Sequence, residues 1–215
     1  MGKETSGLTE VAPPSLFDRP ADEPEELLPD QGSALLYRCA LSVNDSDEVL
    51  ATLLNTTPWQ QHDVHVYGRS VAQPRLVAWF GNAGRRYTYA GLTLEPLQWN
   101  STLSGLKARC EVLAGTRFNS ALANLYRNGR DHVAWHADDE PEFGLDPTIA
   151  SVSLGAERRF DFRNKGSGET IKTMFPHGSV VVMSAGCQRH WLHQAPKMLR
   201  VKEPRINITF RTIVG

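Results

Sequence analysis

Beyond residue 32 the chain is mostly a succession of short runs in which apolar and polar residues alternate, interrupted by two stretches with helical spacing. In DSDEVLATLLN, which starts at the N-cap candidate Asp45, Val49, Leu50, Leu53 and Leu54 share one face. The spacing of Leu103, Leu106, Cys110 and Leu113 predicts a second helix over Thr102 to Leu113. VHVYG, PRLVAWFG and YTYAGLTL read as strands, and from residue 117 onward strand-like runs are divided by Gly, Pro, Asn and Asp. Two helices followed by many short strands predict a mainly β (α+β) fold of two sheets, with the helices packed outside one of them.

Composition adds boundaries to that outline. Residues 1–32 are rich in Pro, Glu, Asp and Gly and poor in large apolar groups, so they are expected to form a disordered tail. Residues 33–215 then make one domain, since 215 residues at 40% hydrophobic content suit a single core. No apolar run approaches the roughly 18 residues of a membrane span, and the N-terminal stretch has no signal-peptide pattern. Cys39, Cys110 and Cys187 are odd in number and form no C-x-x-C pair, which argues against a disulfide framework and a thiolate zinc site. Residues 1–30 hold two basic residues against eight acids, and the remainder has a modest basic excess compatible with a polyanionic partner.

The candidate chemistry begins at WHADDE, residues 135–140, where one histidine and three carboxylates crowd together. So much like charge resists burial unless it is solvated or holds a cation. NGRD (Asn128 to Asp131) predicts a turn, after which HVAWH returns in extended form. His136 and Asp138 at i, i+2 in a strand point the same way and can share one ion. His177, His190 and His193 are each candidates for a third ligand. Two histidines and a carboxylate on one face of a metal are the ligand set of non-haem Fe(II) oxygenases.

PRINITFRTI, residues 204–213, sets Arg205, Asn207, Thr209 and Arg211 on one face and Ile206, Ile208 and Phe210 on the other. The polar face is either the wet side of an edge strand or a binding surface for an anion. Guanidinium forks suit carboxylates, of which 2-oxoglutarate has two. Six strand residues span about 20 Å, so two arginines that far apart must lean inward to share one ligand.

These segments resemble the AlkB family of Fe(II)- and 2-oxoglutarate-dependent nucleic-acid dealkylases, from about Leu35 to the C-terminus. The resemblance is carried by N-x-Y at Asn124 to Tyr126, W-H-A-D-D-E, IASVSLGAERRFDFR, H-G-S-V-V-V-M, W-L-H-Q-A-P and P-R-I-N-I-T-F-R, and is closest to the subgroup that includes the nuclear human DNA-repair homologues. It implies a jelly-roll, double-stranded β-helix core, with dioxygen as oxidant and iron held by His136, Asp138 and His193. Asn124, Tyr126, Arg205, Asn207, Thr209 and Arg211 match the positions that hold 2-oxoglutarate, Arg205 at the far carboxylate and Arg211 nearer the metal. Asp139 and Glu140 match positions that face the substrate, where a cationic base such as 1-methyladenine or 3-methylcytosine favours carboxylates.

The resemblance also implies a nucleotide-recognition lid at about residues 59–90. Tyr87 and Tyr89 share a strand face there, and Tyr89 is the expected stacking surface for an extruded base. VHVYGRSVAQPR resembles a hairpin that wedges into a duplex, with Tyr67 where the family has phenylalanine, followed by Gly68 and Arg69, and with Arg75 at the hairpin's return as a second cation for phosphate. Arg85, Arg86, Lys107 and Arg109 are expected to be solvated charges. Trp59, Trp79, Trp99, Trp135 and Trp191 are expected mostly as core anchors.

The function implied is oxidative demethylation of N-alkylated bases in DNA or RNA by a monomer that spans no membrane, in the cytoplasm of a prokaryote or the nucleus of a eukaryote. Two alternatives stay open: an oxygenase acting on RNA, protein or a small molecule, and a non-catalytic nucleic-acid binding module.

Overall fold

The computed structural model describes residues 23–66, 69–83, 87–89 and 92–214, without the side chains of residues 64–66, 69, 87–89 and 92–94. In chain order it contains β1 (Glu25–Glu26), β2 (Ser33–Tyr37), α1 (Val43–Thr56), β3 (Asp63–Val66), β4 (Arg69–Ala72), β5 (Leu76–Gly81), β6 (Tyr87–Tyr89) and β7 (Leu92–Leu94). There follow α2 (Ser101–Ala114), β8 (Ser120–Tyr126), β9 (Val133–His136), β10 (Ile149–Gly155), β11 (Arg158–Asn164), β12 (Thr170–Phe175), β13 (Ser179–Ser184), the single turn α3 (Cys187–His190), β14 (Trp191–Ala195) and β15 (Arg205–Arg211).

Two sheets form the body. The larger has the order β1-β2-β13-β10-β15-β8-β5 and the smaller β12-β11-β14-β9. Their main strands pair antiparallel with crossovers between sheets, the jelly-roll arrangement expected. α1 and α2 cover the outer face of the larger sheet: Val49 and Leu53 from α1 and Leu103, Leu106 and Cys110 from α2 pack on Ala123, Val152, Val182, Ile206, Ile208 and Phe210. A second apolar cluster, including Phe160, Phe162, Phe175, Val181 and Trp191, fills part of the space between the sheets. Because the central strands are buried on both faces, their polar residues have to be paired or hold something.

Several expectations are corrected. The N-cap of α1 is Ser42, whose hydroxyl accepts from Asp45 N at 3.1 Å; Asp45 lies in the first turn, where its charge meets the positive end of the helix. The turn after β8 does not close a hairpin, because β8 belongs to the larger sheet and β9 to the smaller. β15 is a central strand between β10 and β8, so its polar face is not the wet side of an edge strand. Order extends back before residue 33: β1 pairs with β2, Leu28 is buried, and Trp191 Nε1 donates to the Asp30 carbonyl at 3.1 Å. Residues 1–22 of the expected tail lie outside the described residues.

Arg109 is buried, with Nε donating to the Ala40 carbonyl at 3.2 Å, and is no solvated charge. Lys107 pairs with Glu111 at 3.0 Å. Trp79 and Trp191 are buried, and Trp59 and Trp99 pack against the helix-side core. Trp135 instead stacks on the Arg163 guanidinium at 4.0 Å. At the crossing from β10 towards β11, Gly155 has φ +86° and a Cβ there would stand 2.5 Å from the Pro204 carbonyl oxygen, so the bend requires glycine.

Candidate metal centre and cosubstrate pocket

Strand pairing brings the separated candidate ligands together. β9 and β14 are antiparallel with His136 opposite His193, and the two rings lie 4.2 Å apart between centroids. Asp138, two residues beyond His136, aims the same way. One ligand atom from each of His136, Asp138 and His193 lies within 4.8 Å of the others, the only such triad among the described residues. His136 Nδ1 is 2.8 Å from the Ala134 carbonyl, which leaves Nε2 facing Asp138 Oδ1 at 3.7 Å.

The other two candidates point elsewhere. His177 accepts from Gly155 N and lies beside Asp47, and His190 ends α3 outside the triad.

The surroundings hold Asp138 and His193 in the protonation states a metal needs. Burial alone would raise the Asp138 carboxyl, but Arg211, His193 and His136 outweigh it and hold it below the ordinary carboxylate range. Arg211 Nη2 donates to Asp138 Oδ2 at 2.7 Å. Burial first, then the charge of His136, depresses His193 to about 3, so its imidazole is neutral. Its Nδ1 is buried with no hydrogen-bond partner, and Phe160 stacks on the ring at 5.4 Å. An ionised carboxylate and a neutral imidazole with unused capacity fit a divalent cation. The Asp138 backbone is fixed by its N–H donating to Gln188 Oε1 at 3.0 Å.

Beside the triad a small cavity opens between the sheets. β15 and β8 line it with Asn207, Thr209, Arg211, Asn124 and Tyr126. Hydroxyls of β10 answer the polar face of β15: Asn207 Nδ2 donates to Ser151 Oγ at 2.6 Å, and Arg205 Nε to Ser153 Oγ at 2.8 Å. Arg205 lies deeper, 1% exposed, its guanidinium 5.3 Å from the Tyr126 ring, and its Nη2 has no hydrogen-bond partner. Burial lowers it to about 10, so it remains a cation at neutral pH. A metal-side arginine and polar groups on the cavity wall, with a second arginine buried next to Tyr126, fit a short dicarboxylate.

The substrate side is only partly described. Tyr67 and Gly68 lie outside the described residues, as do Arg85 and Arg86, and so do the side chains of Arg69, Tyr87 and Tyr89. β3 and β4 form the expected hairpin, with Val66 opposite Arg69, and β6 pairs with β7. Arg75 departs from expectation: it is buried, its Nε donates to Asn124 Oδ1 at 2.7 Å, and it lines the cavity. It therefore cannot reach a nucleic-acid backbone as placed. Asp139 is exposed and sits 3.2 Å from Lys165 Nζ, while Glu140 is half-buried.

Sequence reasoning missed Ser151, Phe160, Met183 and Gln188. The alternation of serine with apolar residues in IASVSLG was a usable signal for Ser151, whereas nothing in CQRH marked Gln188.

Comparison with known proteins agrees with this geometry. The profile of the 2OG-Fe(II) oxygenase superfamily matches residues 33–211. Human "alpha-ketoglutarate-dependent dioxygenase alkB homolog 3" is 39% identical over 98% of this chain and 77% of its own length. Human "DNA oxidative demethylase ALKBH2" is 39% identical over 70% of this chain and 61% of its own length. The solved structure of OsALKBH1 superposes with a TM-score of 0.61 over 90% of this chain and all of the other, at 12% identity, which speaks to the fold. With a superfamily that uses Fe(II), 2-oxoglutarate and dioxygen covering most of its length, and an AlkB homologue aligned almost end to end, the chain belongs to the AlkB branch of the 2OG-Fe(II) oxygenases.

Proposed function

We propose that this dioxygenase removes N-methyl groups from nucleobases such as 1-methyladenine and 3-methylcytosine in nucleic acid, with iron on His136, Asp138 and His193. The observation that carries the reading is the triad beside a polar cavity lined by Arg211, Asn207 and Tyr126, with Arg205 buried next to the Tyr126 ring. The nucleic-acid substrate is supported by the relative whose name is DNA oxidative demethylase and by the hairpins β3–β4 and β6–β7 at the expected lid.

Iron and 2-oxoglutarate supply the oxidising chemistry, with dioxygen consumed and succinate and carbon dioxide released. The chain's own residues do the rest. Arg211 neutralises Asp138 and presents a cation at the metal end of the cavity, while Arg205 seats the far carboxylate. Asn124 is oriented by Arg75, and Asn207 by Ser151, so both amides are fixed before a ligand arrives. Tyr67 and Tyr89 open the duplex and hold the extruded base, and Asp139 and Glu140 favour its positive charge. Hydroxylation of the N-methyl group gives a hydroxymethyl adduct, which separates into formaldehyde and the unmodified base.

The test is formaldehyde release from methylated single- and double-stranded DNA and RNA with Fe(II), ascorbate and 2-oxoglutarate. Expected are formaldehyde and succinate together, lost in His136→Ala and reduced in Tyr67→Ala and Tyr89→Ala. Succinate formation with no formaldehyde from any methylated strand would instead assign the oxygenase another substrate. No strand-stimulated succinate at all would leave a binding module.

A further inference from the structure

Arg158 takes no part in the site as expected from sequence, yet it is among the largest fully buried side chains. It opens β11, and its guanidinium ties together two loops, the one between β8 and β9 and the one after β14. Nη1 donates to the Asn128 carbonyl at 3.1 Å, and Nη2 to the carbonyls of Asp131 at 2.8 Å and Pro196 at 2.9 Å. Its Nε is buried with no hydrogen-bond partner. Its guanidinium carbon lies 5.5 Å from the Tyr126 ring, the same ring that Arg205 approaches at 5.3 Å.

Two buried guanidiniums thus share one tyrosine, and among the described residues no carboxylate ion-pairs with either. Asp131, beside Arg158, gives both its carboxylate oxygens to Arg127. Buried charge of one sign is costly unless an opposite charge meets it. The three neutral carbonyls satisfy donors without cancelling charge, and the negative charge of Asp131, which acts on Arg158, is shared with Arg127, so a net positive potential stands next to Tyr126, which lines the cavity.

We infer that Arg158 is a positioning and specificity-determining residue for the cosubstrate, its charge joining that of Arg205 to select 2-oxo acids with a second, distal carboxylate. This rests on the cosubstrate reading above and extends it to a residue that need not touch the ligand. A single charge several ångströms from a carboxylate, at an effective dielectric of about 20, is worth roughly a tenfold change in affinity. The carbonyl bonds serve a second purpose, holding the guanidinium in place so that the potential exists before binding.

The experiment is calorimetric binding to the full chain loaded with Mn(II), using 2-oxoglutarate and, as a probe lacking the distal carboxylate, 2-oxobutyrate. Arg158→Gln is expected to weaken 2-oxoglutarate roughly tenfold and leave 2-oxobutyrate within about twofold, collapsing the selectivity ratio. Arg158→Lys, which keeps the charge and loses the fork, is expected to retain most of that ratio. An equal loss for both acids in Arg158→Gln, or an unchanged ratio, overturns the inference by reducing Arg158 to a loop clamp. Should Arg158→Gln fail to fold, Arg158→Lys decides: a ratio as low as that expected for the glutamine variant rejects the role of charge. Wild-type protein that binds neither acid overturns the cosubstrate reading itself, and this inference with it.

Discussion

Arg211→Met removes the cation that keeps Asp138 ionised while sparing the packing around it. Arg211 Nη2 and Asp138 Oδ2 are 2.7 Å apart, both side chains are almost wholly buried, and the guanidinium also lies 5.0 Å from the Phe143 ring, a contact methionine can replace. Removing one partner of a buried ion pair costs about 3–5 kcal/mol, because the other charge stays behind without compensation. For a domain of this size each kcal/mol moves Tm by about 2–4 °C, so metal-free variant should melt roughly 6–20 °C below metal-free wild type.

Burial raises the Asp138 carboxyl and Arg211 is the largest influence opposing it, so the variant's carboxyl also moves up towards protonation. A divalent ion returns positive charge to the same place. Saturating Mn(II) should therefore stabilise the variant more than it stabilises wild type. The assay is thermal denaturation near neutral pH, with and without Mn(II), for both proteins. A metal-free loss below about 1 kcal/mol, the range of an exposed pair, would refute the argument. So would equal stabilisation of the two proteins by Mn(II).

Other outcomes follow from the packing and the charges. Leu106→Ala, at a fully buried position under the larger sheet, should cost about 2–5 kcal/mol in urea unfolding, whereas Val112→Ala on the exposed face of the same helix should stay within about 0.5 kcal/mol. Glu111 is partly desolvated, which would raise its carboxyl, but Phe118 N, Lys107 and Arg117 bind it and hold it below the ordinary carboxylate range. Its stabilisation is thus complete at neutral pH and lost as pH falls through the carboxyl range, and Glu111→Gln should flatten that part of the acid-unfolding profile. Gly155→Ala should lower stability through a left-handed φ and a clash with the Pro204 carbonyl, while Gly168→Ala, with open space at its Cβ, pays only the backbone term; comparing their denaturation midpoints checks this.

Periodicity alone determined a great deal here. Repeats of leucine at helical spacing marked α1 and α2 to within a few residues, and strict alternation in PRINITFRTI separated the face that packs under the helices from the face that meets the cavity. H-x-D in an extended run aimed His136 and Asp138 one way, since side-chain direction in a strand follows from the backbone repeat of two. These features are local, written in neighbouring residues.

What tertiary structure decided was long-range pairing and burial. Whether His177, His190 or His193 completed the triad depended on β14 lying beside β9 in register, which spacing does not encode. Arg75 reads from sequence as a cation for phosphate and Arg158 carries no local signal, and only the tertiary packing buried the first against Asn124 and the second near Tyr126. A strand's sequence fixes which way its side chains point; which other strand they then meet is set by the free energy of the whole packed core.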